Sequence, residues 1–181
     1  MSSTSVASAI GHRWPTWLAL AWAAISLWDA GDGLEYAFLL AVAAAGYLFI
    51  TVVDRPRATW PVLFALVGVV AVQRLLDIDP WPSLVVLAVA LTAVGLFGGQ
   101  LRRRGLPALQ APAGLVFLAV GVAALSVPTD LGRYLVAAGL LAHAAWDAAH
   151  WRANAVVARS FAEWCGVLDL TLAVGILFLA R

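Results

Sequence analysis

The sequence predicts an all-α polytopic membrane bundle, and three observations predict it. Hydrophobic residues make up 64% of the 181-residue chain and charged residues 12%. The apolar residues fall in continuous runs separated by short polar or proline-containing breaks. Arginines concentrate at alternate breaks. A soluble domain of this length cannot hide so much apolar surface, because a folded protein keeps a large accessible area in water. The runs show no two-residue alternation and are rich in Leu and Ala, so they read as helices rather than barrel strands.

Residues 1–13 are polar and Ser-rich, without the charged start and small-residue cleavage site of a removable signal peptide. The first apolar run is therefore expected to be a retained span, at residues 14–28. Asp29-Ala30-Gly31-Asp32-Gly33 breaks it from the second, residues 34–53, which ends at Asp54-Arg55-Pro56-Arg57. The third, 60–76, closes at Asp77-Ile78-Asp79-Pro80, and the fourth, 82–101, at Arg102-Arg103-Arg104-Gly105. The fifth, 108–127, ends at Pro128-Thr129-Asp130; the sixth and seventh cover 131–151 and 161–180. At about 1.5 Å per residue each crosses most of a hydrocarbon core of about 30 Å. The short connections make sequential helices antiparallel neighbours within one membrane domain.

Arg13, Arg55, Arg57, Arg102, Arg103, Arg104, Arg152 and Arg159 fall at one set of ends. Arg74, Arg133 and Arg181 share the other with Asp29, Asp32, Glu35, Asp77, Asp79 and Asp130. The positive-inside bias then puts the N-terminus in the cytoplasm and the C-terminus outside, in the cell membrane. Trp14, Trp17, Trp28, Trp60, Trp81, Trp151 and Trp164 lie near span ends, as an interfacial aromatic belt requires. Ala138, Ala142, Ala145 and Ala149 on span six, and Gly114 and Gly121 on span five, are small residues at helical spacing. They suit close helix packing within one chain, between copies or with a membrane partner.

Several function classes are excluded at this stage. A net charge of +1 gives no basic face for nucleic acid. Cys165 is the single cysteine, so no internal disulfide forms. All 11 basic residues are Arg, and without a Lys amine there is no retinal Schiff base. No Gly-rich phosphate loop precedes a helix. Haem is disfavoured because His143 and His150 share one helix and cannot bracket an iron.

The informative residues are ionisable groups inside spans, where lipid makes them costly. Span six carries His143, Asp147 and His150, at roughly 0°, 40° and −20° around a helix, hence on one face. Span seven carries Cys165 and Asp169 on a shared face, with Glu163 pointing elsewhere. Counted back from the connection at about 1.5 Å per residue, His143 and Asp169 lie equally deep, as do Asp147 and Cys165. If the two helices pack side by side, His143 faces Asp169 and Asp147 faces Cys165. Three chemistries suit this ladder: a divalent metal site, zinc by ligand type; a proton or ion relay; and a structural His–Asp pair pinning two helices. Elsewhere, Asp29, Asp32, Glu35 and Tyr36 read as a solvated turn rather than a cation site, and Gln73 and Arg74 with Asp77 and Asp79 as an interfacial ion pair.

In span count and the presence of buried His and Asp, and in orientation for the receptor branch, the chain loosely resembles the membrane metal-hydrolase superfamily of alkaline ceramidases and adiponectin-type receptors. That family pairs a Ser and a His on an early helix with a final His-x3-His helix; neither pattern occurs here.

The leading expectation is a metal-dependent, hydrolase-like membrane enzyme acting on a lipid or other hydrophobic small molecule. His143, Asp147 and Asp169 would hold the ion, His150 or Glu163 would move protons, and Arg152 or Arg159 would hold an anionic headgroup. The alternatives are a small proton- or ion-coupled transporter using the same ladder, and a non-catalytic membrane subunit.

Overall fold

A computed structural model describes residues 11–28 and 30–178, and these residues are helical with no strand among them. Seven α-helices follow one another: α1 Trp14–Trp28, α2 Ala37–Val53, α3 Thr59–Leu75, α4 Pro80–Phe97, α5 Leu106–Leu125, α6 Thr129–Ala153 and α7 Arg159–Phe178. Short 3-10 turns at Leu34–Tyr36, Pro56–Ala58 and Gln100–Arg102 lead into or out of them.

Local chemistry sets the boundaries. Span four stops at Phe97, earlier than its apolar run, because Gly99 turns left-handed at φ 81, which glycine accepts without a Cβ clash. Span six begins earlier and ends later than expected. Pro128 at its N-cap cannot extend a helix backwards, and Asn154 ends it in the left-handed region at φ 48. Asp79 caps α4 by accepting a hydrogen bond from the Trp81 amide at 3.0 Å. The connection to α7 contains Val156 at φ 72, a strained conformation for a β-branched residue. That loop is held from α3, where Thr59 Oγ1 accepts the Ala158 amide at 3.0 Å.

The helices alternate in direction. Arg13 before α1 reaches Glu163 near the start of α7 at 3.3 Å, and Trp60 at the start of α3 donates to Ser160 at 3.1 Å. Arg103 after α4 pairs with Asp54 after α2 at 2.7 Å. At the opposite end, Phe38 of α2 meets Trp81 of α4, and Gln73 of α3 bonds Ser83 of α4 at 3.1 Å. Gly33, before α2, lies against Ile176 near the end of α7. One end therefore gathers the starts of α1, α3, α5 and α7 with the ends of α2, α4 and α6. The arginine-rich segments all fall there.

Among the described residues, five helical segments are long and apolar enough to cross a membrane: Leu34–Val53, Pro56–Leu75, Pro80–Phe97, Leu106–Leu125 and Arg159–Phe178. The remaining two helices differ for separate reasons. α1 has 15 residues, about 22 Å at 1.5 Å per residue. α6 has 25 residues, but His143, Asp147 and His150 make its central stretch less apolar.

α2 and α7 form the interior. Of the spanning windows, 61% is buried in the α2 segment and 56% in α7, against 11% for α3. α2 packs on α3, α4 and α5, while α7 lies between α1 and α6, and α5 bridges to α6. Outward faces stay apolar: Phe64, Val86, Val89, Leu115 and Val116 are all exposed. A surface apolar on its outside as well as its inside suits lipid rather than water as the solvent.

Gly114 and Gly121 of α5 do lie in helix contacts, against Leu48 and against the Ala37 carbonyl with Trp81. The alanine stripe does not pack within the chain, because Ala138, Ala142 and Ala145 are exposed on the outer face of α6. Trp164 also departs from the belt, being 8% exposed where α1 and α3 cover α7. Gln73 bonds Ser83, and Arg74 lies 5.1 Å over the Phe38 ring rather than on Asp77 or Asp79. Near Asp32 the polar groups serve the turn: Asp32 accepts the Leu34 amide, Glu35 the Gly31 amide, and Tyr36 donates to the Ser26 carbonyl. Asp29 and Arg181 lie outside the described residues.

Candidate functional site

α6 and α7 meet along the face that carries their ionisable residues. Gly166 permits this approach: a Cβ there would stand 3.1 Å from Asp147 Cβ. The consequence is the contact expected from equal depth. His143 Nδ1 lies 2.7 Å from Asp169 Oδ2 and 3.2 Å from Asp147 Oδ2, so one imidazole nitrogen serves two carboxylates on two helices. Because carboxylates only accept, Nδ1 carries the proton in this arrangement. Cys165 Sγ approaches Asp169 Oδ2 at 3.9 Å. One donor atom from each of His143, Asp147, Cys165 and Asp169 lies within 4.8 Å of the others.

The cluster is dry. His143 is 1% exposed, Asp147 0% and Asp169 3%. Burial of this kind requires each polar atom to find a partner. Tyr47 of α2 supplies one, its hydroxyl donating a hydrogen bond to Asp147 Oδ1. Asp147 Oδ2 has no hydrogen-bond partner among the described residues; the His143 nitrogen at 3.2 Å is its nearest charge complement. Aromatic edges close the rest: the Phe117 ring of α5 lies 4.8 Å from the His143 ring, and that of Tyr47 5.5 Å.

His150 belongs to an adjoining site further along α6. Its ring stands 4.8 Å from the Tyr47 ring. Its Nδ1 lies 2.8 Å from the Trp146 carbonyl and its Nε2 2.7 Å from Gln110 Nε2. A carbonyl only accepts and an amide nitrogen only donates, so His150 is the neutral tautomer with its proton on Nδ1. Gln110 is 1% exposed and also bonds the Leu106 carbonyl at 3.2 Å.

The other candidates lie apart. Glu163 faces α1, accepting from Thr16 at 2.7 Å and Arg13 at 3.3 Å, and does not enter the cluster. Arg152 is exposed at the end of α6, and Arg159 lies 4.1 Å over the Trp151 ring at the same end.

Sequence reasoning missed Tyr47 and Gln110. A signal existed for both: Tyr47 is a polar residue deep inside an apolar run and Gln110 one near the start of another, and each needs a partner once buried. Tyr47→Phe is expected to cost about 2 kcal/mol, the worth of a hydrogen bond to a charged acceptor. Unfolding in detergent measures it, and unchanged stability would show that Asp147 does not depend on this hydroxyl.

A cavity of about 130 Å³ reaches the cluster from the side. Cys165 and Asp169 stand in its wall, with Trp22 of α1, Ala43 of α2, and Trp60 and Phe64 of α3 around it.

These four donor types, gathered and buried, could hold a metal ion. No family model, curated protein or solved structure matches the chain.

Proposed function

We propose that the chain crosses the bilayer seven times with its arginine-rich end cytoplasmic, and that it works there as a metal-dependent, hydrolase-like enzyme on a hydrophobic substrate. Alternating helix direction and the collection of arginines at one end support the topology. The observation that carries the chemistry is the convergence of His143, Asp147, Cys165 and Asp169 to within 4.8 Å.

The donor set passes three tests of fit. Ligand atoms around a tetrahedral zinc stand about 3.5 Å apart, given bonds of about 2.0–2.3 Å, so the widest separations must contract while the 2.7 and 3.2 Å contacts of His143 open slightly. Two carboxylates balance a divalent charge, which offsets the cost of burying them. Asp147 Oδ2, buried and met only by the His143 nitrogen at 3.2 Å, gains a second partner. An ion held by His143, Asp147 and Asp169 supplies Lewis acidity and an acidified water. It would take the place of the proton now on His143 Nδ1.

The chain's own residues do the positioning. Tyr47 holds Asp147 by Oδ1 and so leaves Oδ2 for the cluster. Cys165 lies beside these three ligands, on the side that faces the cavity. His150, neutral and poised against Tyr47, is the nearer of the two proposed proton carriers, and Glu163 the more remote. Arg152 and Arg159 are exposed at the arginine-rich end, where an anionic headgroup would be held.

One observation favours a second reading. Asp169, His143, Asp147 and Tyr47 form an unbroken chain of polar contacts across α7, α6 and α2, which suits proton-coupled transport.

Metal quantification on protein purified without chelator separates the two. The expected result is about one divalent ion per chain, falling at least tenfold in His143→Ala with Asp169→Asn. Wild-type protein that is metal-free and takes up no zinc on addition overturns the enzyme reading. Proton flux in liposomes from such metal-free protein would establish the relay.

A further inference from the structure

The cavity beside Cys165 and Asp169 has features that the metal reading does not require. It runs between α1 and α3, two helices whose facing side chains leave a gap over α7. Around its opening, Trp22 is 52% exposed, Phe64 67% and Val67 42%. All three are apolar, so the opening faces lipid rather than water. Inward, the wall is aromatic and aliphatic until Cys165 and Asp169, the only titratable groups lining it among the described residues.

Resting on the metal-enzyme reading, we infer that this cavity is the substrate port: sideways from the bilayer it admits the end of one linear hydrocarbon chain bearing a neutral oxygen group, an ester carbonyl or the alcohol that its hydrolysis releases. Three observations define that class. The volume is only about 130 Å³. That is the tip of a chain, well below the ~300 Å³ at which pockets for larger ligands begin. None of the described residues lining the cavity is a cation, and two carboxylates already balance a divalent ion, so nothing remains to neutralise a carboxylate or phosphate head. Finally, Trp164 lines the cavity at 8% exposure, and its indole N–H has no acceptor among the described residues. A shift of the Trp164 ring would bring that buried N–H within reach of an uncharged oxygen entering from lipid.

Cys165 makes the port testable, because it is the single cysteine and stands in the cavity wall. The experiment uses full-length protein in phosphatidylcholine liposomes, treated with chelator so that no ion competes for the thiol. A maleimide on a long alkyl tail is expected to modify Cys165. A sulfonated, membrane-impermeant maleimide applied to both faces is expected to react at least tenfold more slowly. Excess long-chain primary alcohol should slow the alkyl reagent. Ala43→Phe, which fills the cavity from α2, should slow it tenfold or more while metal content in unchelated protein stays at the wild-type level. Val67→Trp narrows the opening from the lipid face and replaces Ala43→Phe if that variant does not fold.

Equal labelling by the two reagents, wild-type rates in the filled variants, or no alkyl labelling of folded wild type each overturn the port. The metal reading fails separately, by metal quantification: a metal-loaded protein with an inaccessible Cys165 sinks only the port.

Discussion

His143→Ala should destabilise the protein by about 3–5 kcal/mol, the cost of breaking a buried ion pair from one side. Among the described residues, the imidazole nitrogen is the one hydrogen-donating group within 3.2 Å of both Asp147 Oδ2 and Asp169 Oδ2. Without it two carboxylates face each other in a dry interior, and the Tyr47 hydroxyl bonds only Asp147 Oδ1. A cavity opens against Phe117 as well. Replacing both partners by apolar groups, as in His143→Leu with Asp169→Leu, orphans less charge and should cost less than the sum of the single changes. Unfolding in detergent with and without zinc reads both effects. Zinc at about a hundred times its Kd should add about 2.7 kcal/mol to wild type and nothing to His143→Ala. A His143→Ala protein within about 1 kcal/mol of wild type in chelator would show that the two carboxylates do not depend on this imidazole.

How far the sequence foretold this site depends on what each contact requires. The meeting of His143 with Asp169 was legible because it needs only helical periodicity and equal depth on two adjacent helices. Tyr47 and Gln110 were not, because their contacts depend on how α2 and α5 lie against α6. Tyr47 meets Asp147 across 100 residues, and Gln110 meets His150 across 40. Polarity inside an apolar run marks both as needing a partner without saying which. The seven helices were legible from apolar runs and breaks, and their ends shifted where Gly99 and Pro128 overrode hydropathy. Orientation of each helix about its own axis was the least legible feature. When outer and inner faces are both apolar, periodicity no longer distinguishes them, so Ala142 could turn outward and Trp164 inward with no mark in the sequence.

That blindness to rotation makes the α5–α6 crossing decisive, and Gly132→Ala its sharpest test. Only Ser126, Val127 and Pro128 link Leu125 of α5 to Thr129 of α6, and so short a link forces the two helix ends together. The Gly132 amide bonds the Pro128 carbonyl at 2.9 Å, fixing the first turn of α6. A Cβ on Gly132 would fall well inside contact distance of the Ala124 carbonyl oxygen and 2.7 Å from Leu34 Cδ2. Leu34 can rotate, but a helical carbonyl cannot, so α6 itself must move. Overpacking of this kind costs about 1–3 kcal/mol, and a rigid backbone partner puts Gly132→Ala at about 3 kcal/mol or more. The displacement should also travel. His143 lies about three turns further along the same helix, and its 2.7 Å contact to Asp169 leaves little slack. Gly132→Ala is therefore expected to weaken zinc retention although it touches none of the four donors, whereas Gly68→Ala, at a glycine of α3 with open space around it, should change neither quantity. Wild-type stability and metal content in Gly132→Ala would mean that the close approach of α5 and α6 does not hold the cluster in register.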